Sequence, residues 1–266
     1  PNLLKCTPAC VNGDCRNGTC ACWPSFSGST CELSKPTSFI NDNIGVNLGG
    51  LSYWSTEYIF RNYFYSSSEW IPQYYPGYYN STIAYTWNTN EVINFTSDGY
   101  PRSLLPSQKV GKLILRDLKL HYPKSATNRY VLTYDGRGLI ELGMDASVIN
   151  HRPGRILFLV RPSIVRDNGV YIQILKTDPD NPIRNIKVFL ESDEYLLSEV
   201  ITDSFRAFVS QFSTIRLMDL SNTNGNPLVN WADNNAVTLD TQANGKGLSP
   251  LLIVDIIRRS GRNVWI

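Results

Sequence analysis

The sequence predicts a multidomain, β-rich fold in three parts: a small disulfide-rich module, a β-sandwich or jelly-roll-like layer, and an incomplete parallel α/β part. Three observations predict it. All six cysteines lie within the first 31 of 266 residues. Short apolar runs separated by turn dipeptides fill residues 82–192. After Asp193 the pattern becomes helix, strand, helix, strand, the grammar of parallel α/β structure. The corresponding boundaries are 1–33 for the module, 34–43 for a linker, 44–81 with 193–266 for the α/β part, and 82–192 for the β layer.

Length and composition set the frame. A chain of 266 residues suits two domains, or a small module beside a larger one. With 42% hydrophobic and 18% charged residues it holds enough apolar material for a core, which excludes intrinsic disorder. A net charge of +2 lacks the basic excess that nucleic acid or an anionic membrane selects. The run Leu251-Leu252-Ile253-Val254 meets Asp255 and is far short of the ~20 apolar residues that span a bilayer.

The first element is stapled rather than packed. Cys6, Cys10, Cys15, Cys20, Cys22 and Cys31 form an even set in a segment too small to bury a core, so cross-links must replace burial. A zinc site is the competing reading, but the spacing lacks paired C-x₂-C ligands and has no nearby histidine. The sequons at Asn17, Asn80 and Asn94 agree with an oxidising, secretory route and predict N-glycans. A start at Pro1 without methionine suits a mature or trimmed chain. Asn263-Val264-Trp265-Ile266 reads as the opening of a buried strand, so the natural polypeptide is expected to continue, or to be cleaved, past Ile266.

The spacing C-x₃-C-x₄-C-x₄-C-x-C-x₈-C, closing on Cys22-Trp23-Pro24-Ser25-Phe26-Ser27-Gly28-Ser29-Thr30-Cys31, resembles an EGF-like module. The resemblance implies the pairing Cys6–Cys15, Cys10–Cys20 and Cys22–Cys31, where spacing alone leaves all connectivities open. Phe26 and Gly28 stand where the family places its aromatic and turn glycine; Ser25 replaces a common further glycine. Pro1–Lys5 has one amide, Asn2, and none of the acidic residues of calcium-binding members, so no calcium is implied. Such modules serve as spacers or protein contacts.

Past the Pro36-containing linker, Ile44–Leu51 alternates like a buried strand, and Ser55-Thr56-Glu57 ahead of Tyr58, Phe60, Tyr63 and Phe64 predicts a capped, core-facing helix. Residues 53–87 contain 14 aromatics. Aromatic planes stack on sugar rings and fill protein interfaces. Trp70, Tyr74, Tyr75, Tyr78, Tyr79 and, later, Trp231 are therefore candidate carbohydrate or interface residues, with core packing as the alternative.

In the β layer, Asp98-Gly99, Asp135-Gly136 and Asn168-Gly169 punctuate strands at Lys112–Tyr122, Arg129–Tyr134, Leu139–Met144, Ile156–Val160, Val170–Leu175 and Ile186–Leu190. In the α/β part, helices are expected at Ser198–Phe212 and Leu248–Arg259, the second closed by Arg258, Arg259 and Gly261, with strands at Thr214–Asp219 and Asn263–Ile266.

Gly45–Ser55, Pro101–Leu104, Tyr134–Gly136, Ile140–Gly143, Asn181–Asn185, Ile215–Asp219 and Asn230–Asp233 together resemble the N-terminal half of secreted (β/α)-barrel proteins similar to glycoside hydrolases. The resemblance implies a first barrel strand and helix at 44–66, an inserted β layer, and at most three of eight strands within the chain. Glycoside hydrolysis needs two carboxyls flanking the scissile bond. Asp219 and Asp233 are the weak candidates, and both also suit a loop-holding role. Only two histidines occur, with no His/Cys cluster, nucleophile elbow, P-loop or dinucleotide fingerprint, so no metal and no cofactor is expected.

The expected class is thus a secreted, N-glycosylated structural or adhesive glycoprotein of a matrix, coat, filament or appendage. Its partners are copies of itself or other extracellular proteins, with polysaccharide as a further contact. The alternative is the N-terminal portion of a carbohydrate-active barrel enzyme.

Overall fold

In a computed structural model the described residues are 5–23, 26–34, 44–75, 77–78, 86–118, 122–123, 127–163, 165 and 168–266. The linker reading, most of residues 34–43, and the candidates Tyr79 and Asn80 lie outside them. No described helix is long and apolar enough to cross a membrane.

The N-terminal segment has two small hairpins, β1 (Gly13–Arg16) with β2 (Thr19–Cys22) and β3 (Phe26–Ser27) with β4 (Leu33–Ser34). Disulfides join Cys6 to Cys15, Cys10 to Cys20 and Cys22 to Cys31. This is the connectivity that the resemblance to an EGF-like module implies. Its sulfurs are consumed by disulfides; the close approach of Cys6, Cys10 and Cys20 therefore offers a metal no thiolate.

β5 (Gly45–Asn47) opens the body, followed by β6 (Ile71–Tyr74) and a two-residue ribbon of β7 (Asn94–Phe95) with β8 (Pro101–Ser103). Seven long strands complete the antiparallel layers: β9 (Gln108–Ile114), β10 (Arg129–Asp135), β11 (Gly138–Met144), β12 (Ala146–Arg152), β13 (Arg155–Val160), β14 (Val170–Thr177) and β15 (Arg184–Leu190). Together with β6 they form two four-stranded sheets, β12-β13-β10-β15 and β11-β14-β9-β6. Alternating residues of both sheets share one core, including Val110, Leu132, Ile156, Ile172, Ile174 and Val188, with Tyr130 stacked on Phe158 at 5.6 Å. Gly111 lies beneath the Tyr171 ring, where an added Cβ would stand 2.1 Å from it.

The expected strands from Arg129 onward all form. β6 and β12 escape the sequence pattern for physical reasons. β12 is an edge strand exposed along most of its length, so it shows no inside–outside alternation. β6 carries Pro72, which an edge strand tolerates because one side of its backbone needs no ladder partner. The strand expected to run to Tyr122 stops at Ile114, since Leu115 and Asp117 take left-handed backbone at φ 51° and 54°.

The helix expected from Ser55 does not form. Phe60 instead bridges Ile201, Arg61 N–H donates to Val200 O at 2.9 Å, and Thr202 N–H donates to Ile59 O at 2.9 Å. Only a 3₁₀ turn at Tyr63–Ser66 follows, capped by the Asn62 side chain. Aromatic side chains lose rotamer freedom in a helix, and here extended pairing with 200–202 wins. Phe60, Tyr63 and Phe64 are buried all the same.

The last part contains α1 (Asp203–Val209), β16 (Thr214–Arg216), α2 (Pro250–Ser260) and β17 (Asn263–Trp265). Thr202 caps α1 by accepting the Phe205 N–H at 3.0 Å. Gly261, left-handed at φ 63°, ends α2 and donates to Ile257 O. β5 and β17 flank β16 in a parallel sheet of three strands. No closed barrel forms among the described residues.

The two cores are locked by a buried ion pair. Lys112 points into the core of the paired sheets, its ammonium between the faces of Trp70 (5.0 Å) and Phe64 (5.6 Å), and pairs with Asp240 from the loop before α2. Burial pushes the Lys112 ammonium down and the Asp240 carboxyl up, and each partner opposes the other's shift. Removing one partner strands a charge in an apolar site. Lys112→Met should therefore lower unfolding free energy by about 3–5 kcal/mol, and the Lys112→Met/Asp240→Leu double variant should recover much of it, both read by denaturant melts.

Candidate functional site

The candidate site is the uncovered face of the small parallel sheet. Val46, Ile215 and Val264 share one register row and pack with α1 and α2 residues such as Phe205, Leu252 and Ile256. Side chains alternate across a strand, so the neighbouring rows point the other way. One is Gly45, Thr214 and Asn263; the other is Asn47, Arg216 and Trp265. In both rows the outer strands are exposed. Parallel sheets are ordinarily covered on both faces, which makes this open polar face unusual.

At the carboxyl ends of the strands the polar groups are organised. Asn47 Nδ2 donates to Asp219 Oδ2 at 2.7 Å, joining β5 to the loop after β16. The Arg216 guanidinium lies 4.7 Å from the centroid of the Trp265 ring, which remains 62% exposed. Carboxylate, amide, guanidinium and indole thus stand side by side where open α/β sheets place their ligands. Asn47, Arg216 and Trp265 were not singled out by the sequence. Only strand register brings them together; the strand periodicity of three short segments was the available signal.

The sequence-derived candidates separate. Asp219 belongs to this face. Asp233 instead accepts from Asn230 N–H and Nδ2 at 3.3 and 3.2 Å, closing a capping box on the 3₁₀ turn Trp231–Asp233. Asp219 and Asp233 share no hydrogen bond among the described residues. Trp231 sits on that turn, 79% exposed. Trp70 is a correction to the expected surface aromatics. It is buried, and its indole N–H donates to Gly99 O at 2.9 Å. Its ring is needed against Lys112. Tyr74 and Tyr75 are half-buried beside the β6–β9 pairing, and Tyr78 is exposed. Asn17 is exposed in the β1–β2 turn, and Asn94 is exposed with Nδ2 donating to Ser103 Oγ at 2.9 Å.

A second electrostatic centre holds the cysteine-rich segment to the body. Glu199, 1% exposed, accepts from Arg16 Nε and Nη2 at 2.9 and 2.6 Å. Arg61 pairs with Asp193 at 2.7 Å and Asp203 at 3.1 Å. Nearby, Arg259 pairs with Asp14 at 2.7 Å while Arg258 and Arg259 lie over Trp23. Partial burial pushes the Asp203 carboxyl up, but Arg61, Arg16 and Arg206 together bring it below its usual value. A depressed carboxylate contributes stability that is present above its unfolded value, near 3.9, and lost as pH falls through the folded value. Stability should therefore fall as pH drops below about 4, and Asp203→Asn should remove that part of the pH dependence, both read by denaturant melts.

Asn47 and Asp219 are both exposed, so Asp219→Asn should change the melting free energy by less than about 0.5 kcal/mol while altering any ligand response, which marks it as a probe of function. Comparison with known proteins returns no matching family model, no matching curated protein and no matching solved structure, so the functional reading rests on this geometry.

Proposed function

We propose that the chain is a secreted, N-glycosylated structural or adhesive glycoprotein that makes protein contacts, and additional carbohydrate contacts, through the open face of its parallel sheet. One observation carries the reading: one face of the parallel sheet exposes Asn47 and Trp265 on its outer strands, with half-buried Arg216 between them and exposed Asp219 beside them. Trp and Arg are the residue types that dominate the energy of protein interfaces, and an indole beside polar donors also suits a pyranose ring. The disulfides support an oxidising compartment. Their connectivity supports reading the first 31 residues as an EGF-like module that acts as spacer or contact unit.

The alternative, part of a carbohydrate-active barrel enzyme, draws on Asp219 standing with Asn47 at the carboxyl ends of two parallel strands. A single carboxylate there does not supply the pair that hydrolysis requires.

Particle mass against concentration separates the two. The native protein should assemble, and Trp265→Ala should weaken assembly by about 2 kcal/mol, roughly thirtyfold in dissociation constant. A protein that stays monomeric at all concentrations and releases reducing sugar from polysaccharide, with loss of that release in Asp219→Asn, would replace the structural reading with the enzymatic one.

A further inference from the structure

We propose that Asn17 carries an N-linked glycan whose first sugars fold back into the cleft between the cysteine-rich segment and the body and stack on Tyr195, wedging the two together. The inference goes beyond the interface reading and rests only on its secretory part.

Asn17 and Gly18 form the two-residue turn between β1 and β2, with Arg16 opposite Thr19 and both turn residues left-handed at φ 48° and 84°. Asn-Gly is the preferred pair for such a turn, because both residues tolerate positive φ. The turn alone would account for the asparagine. It does not account for Thr19, which completes the sequon and is exposed beside it.

The surroundings point to a ligand attached at this position. Asn17 lines a solvent-open cleft of about 460 Å³, whose lining includes Lys5, Ala9 and Cys10 of the segment and Tyr195 and Ser198 of the body. That volume is within the ~300–1,000 Å³ typical of small-molecule sites. Tyr195 is 61% exposed, although it is followed at once by buried Leu196 and precedes the buried Glu199 by only four positions. An exposed aromatic lining one cleft with Cys6, Ala9 and Cys10 can take the C–H face of a pyranose, while the Ser198 hydroxyl and the Lys5 ammonium can meet sugar oxygens. The same cleft is lined by Arg16, whose guanidinium binds Glu199. A sugar seated there would shield that ion pair from water and strengthen it. Asn94 differs: it is exposed on a two-residue strand, with its amide nitrogen already bonded to Ser103.

Attachment joins Asn17 Nδ2 to the anomeric carbon of an N-acetylglucosamine delivered by a polyisoprenyl-diphosphate-linked oligosaccharide. The bond from that carbon to the diphosphate oxygen breaks, the diphosphate leaves with the electron pair, and the amide nitrogen releases one proton.

The test uses the full chain secreted from eukaryotic cells. Peptide mass spectrometry reads glycan occupancy at Asn17, Asn80 and Asn94 and free thiols at the six cysteines, and hydrogen exchange compares the wild type with Thr19→Ala and Tyr195→Ala. Thr19→Ala removes the sequon but keeps the Asn-Gly turn; Tyr195→Ala keeps the sequon but removes the stacking face. Asn17 should be occupied in the wild type and in Tyr195→Ala. Amides of 13–22 and 194–199 should exchange about tenfold faster in both variants than in the wild type. Equal exchange in wild type and Tyr195→Ala overturns the wedge. An empty Asn17 beside an occupied Asn94 or Asn80 overturns it too and leaves the secretory reading standing, whereas three empty sequons with free thiols at the six cysteines remove both.

Discussion

The buried carboxylate of Glu199 is the constraint around which the molecule is arranged. A carboxylate almost wholly removed from water is tolerable only when cations surround it. Arg16 binds it directly, and Arg61 and Arg206 stand 3.6 and 3.7 Å away. Those three arginines come from the cysteine-rich segment, from the chain ahead of the paired sheets, and from α1. Asp193, just after β15, completes the set by taking Arg61 at 2.7 Å. Three parts of the fold therefore meet because one charge must be neutralised, and the direction in which the disulfide segment leaves the body follows from it.

Lys112 and Asp240 do the same for the two cores. The lysine is rooted in β9, the aspartate in the loop that precedes α2, and backbone bonds flank the pair: Asp240 N–H donates to Asp98 O and Gln242 N–H donates to Tyr65 O. Fastening that loop against the paired sheets positions α2, and α2 in turn covers one face of the parallel sheet. The face left open is thus a consequence of where the helices are held.

The functional reading follows from what this arrangement exposes. Exposed Trp265 and Trp231 and a solvent-facing polar row form the proposed contact surface, while Asp219 is tied to Asn47 of β5 and Asp233 to Asn230. Binding energy at such a surface comes from burying the indoles, and specificity from the amide, carboxylate and guanidinium beside them.

Local pattern was enough for elements whose cause is local. The disulfide segment, the alternating strands from β10 to β15 apart from β12, and α2 with its arginines and Gly261 could be read along the chain, because spacing, period and caps act over a few residues. Only the tertiary structure decided the rest. Residues 55–64 carry helical spacing yet 59–61 pair with 200–202, Trp70 looks like a surface aromatic yet shields Lys112, and β12 shows no period because most of its length is exposed. The open row of Asn47, Arg216 and Trp265 is drawn from segments more than 150 positions apart in one case and nearly 50 in the other, and only the register of parallel strands makes them neighbours. The burial of Lys112 and Glu199 has no local signal, since it is set by partners that the chain supplies from far away.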